Sequence, residues 1–128
     1  MEHGIIQYGS MEAFEELNSE SACLLDIRED YLHSYKQFKV PRSLYIALED
    51  LKDRASSLPH DVMYICADSA GIHSMDAATI LIDAGFPKAG NLAGGIVDWE
   101  KSGLPVIIDP EQELSGSCTC QLKRRNIK

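Results

Sequence analysis

Short apolar runs alternate with longer mixed segments along the chain. The apolar runs predict five strands, over residues 5–8, 22–27, 43–46, 61–66 and 89–92. The segments between them predict four clear helices, over residues 11–18, 47–58, 73–85 and 94–103, and a short helix within 28–38. Because strands and helices alternate, we expect an α/β fold with a mainly parallel sheet and helices on both faces.

Residues at the ends of these segments support the assignment. Ser10 is expected to cap the first helix, Pro59 to end the helix over 47–58, and Gly85 to cap the helix over 73–85. In parallel sheets the functional groups gather beyond the carboxyl ends of the strands. Cys66 ends the predicted strand 61–66 and is therefore the first candidate for chemistry.

Length and charge limit the classes of function. A chain of 128 residues with 45% hydrophobic residues can form one domain without disulfides. Its formal net charge is −8, made of −12 on the body and +4 on Lys123, Arg124, Arg125 and Lys128. An acidic body disfavours binding to nucleic acid and to anionic membranes. The polar composition of residues 109–128 predicts a tail that follows a domain at 1–108.

The cysteines are expected to be reduced. The N-terminal residues lack the apolar core of a signal peptide, and no apolar run is long enough to span a bilayer, so we predict a cytoplasmic protein. Cysteines in that compartment are more often free thiols, metal ligands or catalytic groups than disulfides. The four in this chain are Cys23, Cys66, Cys118 and Cys120.

Two interpretations of Cys66 follow from its position. A strand–loop–helix turn directs backbone N–H groups and a helix dipole at one point, which would lower the pKa of a thiol there and raise its nucleophilicity. Alternatively, Cys66 is a small apolar residue at the end of a strand. From position alone, the second interpretation is favoured.

Three segments, in order, resemble signatures of the rhodanese-like family. "LLDIRED" (24–30) resembles a leucine-aspartate-x-arginine-glutamate motif, and "FKVPRSLYIALEDL" (38–51) resembles a proline-containing turn that leads into a short strand. "NLAGGIVDWEKSGLPV" (91–106) is similar to leucine-x-glycine-glycine, then tryptophan, then glycine-x-proline-valine. The resemblance covers roughly residues 5–106. It implies a parallel five-stranded sheet flanked by helices, and transfer of sulfane sulfur through a cysteine persulfide.

The resemblance also implies a site. Cys66 matches the family's nucleophile, and Ser74 matches the serine that opens the next helix. The family loop runs cysteine, four residues, arginine, serine, whereas six residues separate Cys66 from His73, which takes the arginine position. We therefore expect a loop two residues longer than usual. The expected substrate-binding residues are Ala67, Asp68, Ser69, Ala70, Gly71, Ile72, His73 and Ser74, with Arg28 from the first signature.

The loop composition narrows the expected activity. Arginine binds oxyanions bidentately with a permanent charge, whereas the charge of His73 depends on pH, and Asp68 would repel a dianion. We therefore do not expect phosphatase or arsenate reductase activity, and we expect poor thiosulfate binding. The predicted partners are a sulfane sulfur donor and a thiol acceptor, either of which could be a protein, with no cofactor. The rival hypothesis is a non-catalytic rhodanese-like module that binds a partner or senses redox state.

The tail holds a Cys-x-Cys pair just before its basic cluster. Cys118 and Cys120 are candidate resolving or sulfur-accepting thiols for Cys66, and the nearby cations would lower their thiol pKa values. The alternative is that they are tail thiols with no special role. A zinc site made of these two thiols with Cys66 and His73 would need the tail to return to the loop. No metal is expected.

Overall fold

A computed structural model describes residues 4–19 and 22–109, in which the chain forms seven strands and five α-helices. The strands are β1 (Ile5–Tyr8), β2 (Ala22–Asp26), β3 (Lys36–Phe38), β4 (Ser43–Tyr45), β5 (Met63–Ala67), β6 (Ala89–Leu92) and β7 (Val106–Ile108). The helices are α1 (Ser10–Asn18), α2 (Asp30–Tyr35), α3 (Leu48–Arg54), α4 (His73–Asp83) and α5 (Gly95–Lys101). In this part of the chain, no helix has the length and apolarity needed to cross a membrane.

The main sheet has five strands in the order β1-β6-β5-β2-β4, and every neighbouring pair is parallel. This confirms the predicted α/β class and the five-stranded parallel sheet. The strands β3 and β7 form a separate antiparallel ribbon, which the sequence analysis missed. Each has three residues, and its partner lies far away along the chain, so neither carries a local pattern of its own.

Two apolar cores lie on opposite faces of the sheet. Leu24 and Leu25 are adjacent in β2, and because strand side chains alternate, they belong to different cores. Leu25 packs in the core that includes Leu51 of α3 and Leu81 of α4. Leu24 packs in the core that includes Trp99 of α5, whose Nε1 donates a hydrogen bond to the Pro105 carbonyl at 2.8 Å. Helices therefore cover both faces, as predicted.

The first helix begins one residue before its predicted start. Ser10 was predicted as the N-cap, but it is the first residue of α1, and Gly9 precedes it. The backbone N–H of Gly9 donates to the carboxylate of Glu12 at 2.9 Å. The Ser10 hydroxyl instead donates to Asp98 Oδ2 at 2.6 Å, and this bond joins α1 to α5.

Candidate functional site

The carboxyl ends of β2, β4 and β5 border one cavity of about 470 Å³. It lies between α2, α3 and the loop that leads into α4. Its apolar lining residues are Ile27, Leu32, Ala47, Leu48, Ala70 and Ile72. Its polar and charged lining residues are Arg28, Glu29, Glu49, Asp68, Ser69 and His73.

The cavity brings together part of the predicted site. The predicted residues that line it are Arg28, Asp68, Ser69, Ala70, Ile72 and His73. A second wall of the cavity, formed at α2 and α3, was not predicted. It includes Glu29, Leu32, Leu48 and Glu49. This wall could have been predicted from the sequence, because its residues closely follow β2 and β4. The carboxyl ends of these strands meet that of β5 at one edge of the sheet.

Cys66 lies inside β5, not in the loop. The strand continues to Ala67, and the side chain of Cys66 is 0% exposed in the core that it shares with Leu25, Ala77 and Leu81. Burial raises the pKa of the Cys66 thiol. The expectation of an accessible thiol with a lowered pKa is therefore wrong. The cause is one further strand residue, which keeps Cys66 within the sheet and under α4.

The buried Cys66 thiol should make stability depend on alkaline pH. The unfolded thiol ionises above about pH 8.5, whereas the folded thiol stays protonated, so rising pH favours the unfolded state. Below pH 8.5 this contribution to stability is fully present. Above it, the free energy of unfolding should fall by up to about 1.4 kcal/mol per pH unit from this group alone.

Denaturant unfolding of the native chain and of Cys66→Ala between pH 7 and 10 measures this effect. The tyrosines and the other cysteines are common to both proteins. The effect of Cys66 is therefore the difference between the two slopes of unfolding free energy against pH. Parallel slopes above pH 8.5 would contradict the assignment of a buried, protonated thiol.

Asp68 is the residue that begins the loop after β5. Its side chain is buried, and its carboxylate accepts hydrogen bonds from the backbone N–H groups of Gly71 and of His73, the latter at 2.6 Å. Its carbonyl oxygen accepts the N–H of Ile96 at 2.9 Å. Amide donors that were expected to bind a substrate therefore bind an internal carboxylate, which also complements the dipole of α4.

Two glycines allow the loop to lie against the start of α5. Gly71 has φ +88°, and a Cβ there would lie 1.9 Å from the carbonyl oxygen of Ala93. Gly95 has φ +63°, and a Cβ there would lie 2.4 Å from the carbonyl oxygen of Ser69. That carbonyl also accepts the N–H of Val97 at 3.1 Å. Gly71 of the loop and Gly95 of the third signature therefore both allow close backbone contact between the loop and the start of α5.

Arg28 is held away from the role of an oxyanion ligand. Its Nε and Nη2 donate to the two carboxylate oxygens of Asp26 at 2.9 and 2.7 Å, and Nη2 also donates to the carbonyl of Lys36. The guanidinium lies 5.6 Å from the ring centre of Phe38. His33 Nδ1 is 3.0 Å from Asp26 as well. Because Asp26 offsets the charge of Arg28, we do not expect Arg28 to bring a free positive charge to the cavity, and its role as a substrate-binding residue stays a prediction.

The remaining predicted residues lie beneath the loop or outside the described chain. Ala67 is buried in β5, and Ser74 is fully buried and donates its hydroxyl hydrogen bond to Asn91 of β6. Cys118 and Cys120 fall outside the described residues, so their role as resolving or accepting thiols stays a prediction. Within residues 4–19 and 22–109, no group of three or more His, Cys, Asp or Glu side chains is arranged to hold a metal ion.

The fold and the order of these elements agree with one known family. A profile described as the rhodanese-like domain matches residues 10–102, which is well over half of the chain. The chain belongs to the rhodanese-like domain family. Among solved structures, a rhodanese-like domain from Anabaena aligns with a TM-score of 0.74 at 21% identity, covering 100% of this chain and 96% of the other. At that identity, the structural likeness supports the fold alone.

Curated relatives of this rhodanese-like chain are named sulfurtransferases. The thiosulfate sulfurtransferase GlpE of Actinobacillus pleuropneumoniae is 31% identical over 99 residues, covering 74% of this chain and 86% of the relative. A sulfurtransferase of Allochromatium vinosum is 29% identical over 90 residues, covering 70% of this chain and 82% of the relative. The family assignment therefore rests on sequence as well as on fold.

The structure changes the alignment of the loop with the rhodanese-like pattern. In that pattern, four residues separate the cysteine from the arginine, and a serine follows. If His73 and Ser74 take the last two positions, the four residues 69–72 lead back to Asp68, which is where the loop begins after β5. Counted in this way, the loop has the usual length and Asp68 stands where the pattern has its cysteine. The expected two-residue extension was counted from Cys66, which belongs to the strand.

Proposed function

We propose that this chain is a rhodanese-like binding module that does not carry sulfur on Cys66. The observation that supports the proposal is the position of Asp68, whose carboxylate accepts the loop N–H groups of Gly71 and His73. Those donors are then unavailable to a substrate oxyanion or to a charged sulfur adduct. A carboxylate has no sulfur with which to form a persulfide.

The other groups at the cavity also disfavour an anionic sulfur donor. Glu29 and Glu49 line the cavity together with Asp68, while Arg28 is paired with Asp26. An incoming thiosulfate would meet net negative charge. The Cys66 thiol would have to leave the core to reach any donor, so a persulfide route and redox sensing through Cys66 are both disfavoured.

The lining and the volume of the cavity indicate which chemical class of ligand would fit it. Half of its lining residues are apolar, and its charged lining is mainly acidic. A volume of about 470 Å³ accommodates a small organic molecule or a few side chains of a peptide. We therefore expect a ligand that combines an apolar group with neutral or positive charge.

Intact mass after incubation with sulfane sulfur tests this proposal. The sample is a Cys23→Ser/Cys118→Ser/Cys120→Ser variant, which keeps Cys66 as its sole thiol, treated with thiosulfate or with glutathione persulfide. We expect no gain of a sulfur atom by the folded protein with either donor. The same protein in denaturant should gain one from glutathione persulfide, whose outer sulfur moves to the Cys66 thiolate as glutathione thiolate leaves. Loading of folded protein that a thiol removes, and that Cys66→Ser abolishes, would overturn the proposal in favour of a persulfide carrier.

A further inference from the structure

We propose that the cavity binds the C-terminal segment of this same chain, residues 110–128. In this arrangement Leu122 contacts the apolar wall, and the basic cluster Lys123–Arg125 lies on the acidic rim. The inference rests on the proposed function, because it takes the cavity to be a binding site. Three features of the described residues support it: the place where the described chain ends, the charge of the rim, and an exposed apolar residue at the cavity.

The described chain ends beside the wall of the cavity. The N–H of Asp109 donates to the carbonyl of Tyr35 at 2.8 Å, directly after β7 pairs with β3. Tyr35 is the last residue of α2, and Leu32 of the same helix lines the cavity. Three residues of helix correspond to about 4.5 Å along its axis. The described chain therefore ends, at Asp109, next to the helix that forms one wall.

The remaining chain is long enough to enter the cavity. Leu122 follows Pro110 by twelve positions, and an extended chain of that length spans up to about 40 Å. Tethering of this kind gives an effective concentration of about a millimolar or more. A contact with only millimolar intrinsic affinity would therefore be substantially occupied within one chain.

The charges of the two parts are complementary. Glu29, Glu49 and Asp68 line the cavity. The pKa of Tyr45, at the carboxyl end of β4, is raised by burial and then by the negative charges of Asp30, Asp26, Glu49 and Asp50, which marks this end of the sheet as acidic. The segment after residue 113 has four basic residues and no acidic residue. Attraction between opposite charges favours its return to this rim.

The cavity and the C-terminal segment also have complementary apolar residues. Ile72 is 71% exposed, and it lines the cavity together with Leu32 and Leu48. In the C-terminal segment, Leu122 directly precedes the basic cluster. Docking of Leu122 would cover Ile72 while the adjacent cations remain at the acidic rim.

Paramagnetic relaxation in the full-length chain tests the inference. A nitroxide is attached to Cys120 in a Cys23→Ser/Cys118→Ser variant, in which Cys66 is buried and protected from the label. We expect the amide signals of Leu32, Leu48 and Ile72 to lose at least half of their intensity. Those of Ile5 and Val62, near the opposite ends of the strands, should keep theirs. A label on the exposed Lys88→Cys, in a Cys23→Ser/Cys118→Ser/Cys120→Ser background, should give the reverse pattern.

Two further measurements identify the occupant. K123E/R124E/R125E in the labelled chain, or about 1 M salt, should restore the cavity signals. A mixture of isotope-labelled native chain with unlabelled, nitroxide-bearing chain should show no loss, because the contact lies within one molecule. Loss in the mixture would assign the cavity to a second copy, and absent or evenly spread loss in the labelled chain would also overturn the inference. None of these measurements depends on sulfur loading. Failure of this inference is therefore distinguishable from failure of the proposed function.

Discussion

Asp68→Cys is expected to create a sulfur-loading thiol in the loop after β5, where the native chain has a carboxylate. The substitution places a thiol where the loop N–H groups of Gly71 and His73 now bind the carboxylate. These donors and the start of α4 would stabilise the thiolate and lower the pKa of the introduced thiol. At pH 7, alkylation by iodoacetamide should be about tenfold faster than for an ordinary exposed thiol.

The matched control is Asp76→Cys, which makes the same exchange at an exposed position in the first turn of α4. Both variants are made in the Cys23→Ser/Cys118→Ser/Cys120→Ser background. Intact mass followed over time with glutathione persulfide should show sulfur gained about tenfold faster by Asp68→Cys than by Asp76→Cys. If the two thiols are alkylated at equal rates and gain sulfur at equal rates in folded proteins, the loop does not have the geometry that we assign to it.

Adding His73→Arg to Asp68→Cys should extend loading to thiosulfate. The fixed guanidinium charge would offset the acidic lining of the cavity and bind the sulfonate oxygens bidentately. We expect about a tenfold faster loading from thiosulfate, which corresponds to about 1.4 kcal/mol of transition-state stabilisation. Loading from the less charged glutathione persulfide should change little, and an equal gain with both donors would contradict this charge argument.

Gly71→Ala is expected to destabilise the domain strongly. The loss of stability should exceed that caused by alanine at Gly4, Gly85 or Gly103, the left-handed glycines that lie away from the loop. A Cβ at this position would meet the backbone carbonyl of Ala93, which cannot rotate away. The left-handed backbone alone costs about 1–2 kcal/mol, and the collision should raise the total above about 3 kcal/mol. The displaced loop would also lose the hydrogen bonds that its N–H groups donate to the Asp68 carboxylate.

Gly103→Ala provides the comparison, because Gly103 has φ +80° and a Cβ there would have no atom within 4 Å. It should reduce the free energy of unfolding by only about 1–2 kcal/mol. Urea unfolding of both variants and of the native chain gives the two differences. Equal losses would show that the contact between the loop and Ala93 contributes nothing beyond backbone strain.

Much of the architecture followed from local patterns. The apolar run around Leu24 and Leu25 predicted a strand, and the two side chains are buried in opposite cores. The glycine and tryptophan of the third signature identified the turn and helix that hold the loop, and Trp99 is fully buried. Such features depend on neighbours within one element, so the chain order alone carries them.

The spacing of apolar residues did not identify the buried face of α4. Ile72, Met75, Thr79 and Ile82 fall at helical spacing in the sequence, yet Ile72 is largely exposed. The fully buried positions of the helix are Ser74, Ala77, Ala78 and Leu81. Small side chains allow the helix to approach the sheet closely, so the packed face is one of small residues and not the one with the larger aliphatic row.

The sequence by itself determined the α/β class, the parallel sheet, the family and the edge of the sheet where the candidate site lies. Only the tertiary structure decided which loop residue occupies the site. An apolar run cannot reveal whether a strand ends at Cys66 or one residue later, because Cys66 and Ala67 are both small and both suit a buried strand. The pairing of Ala67 with Asp26, and the N–H groups directed at Asp68, settle that end through contacts distant in sequence. That single residue separates an exposed thiol from a buried one, and places a carboxylate in the loop.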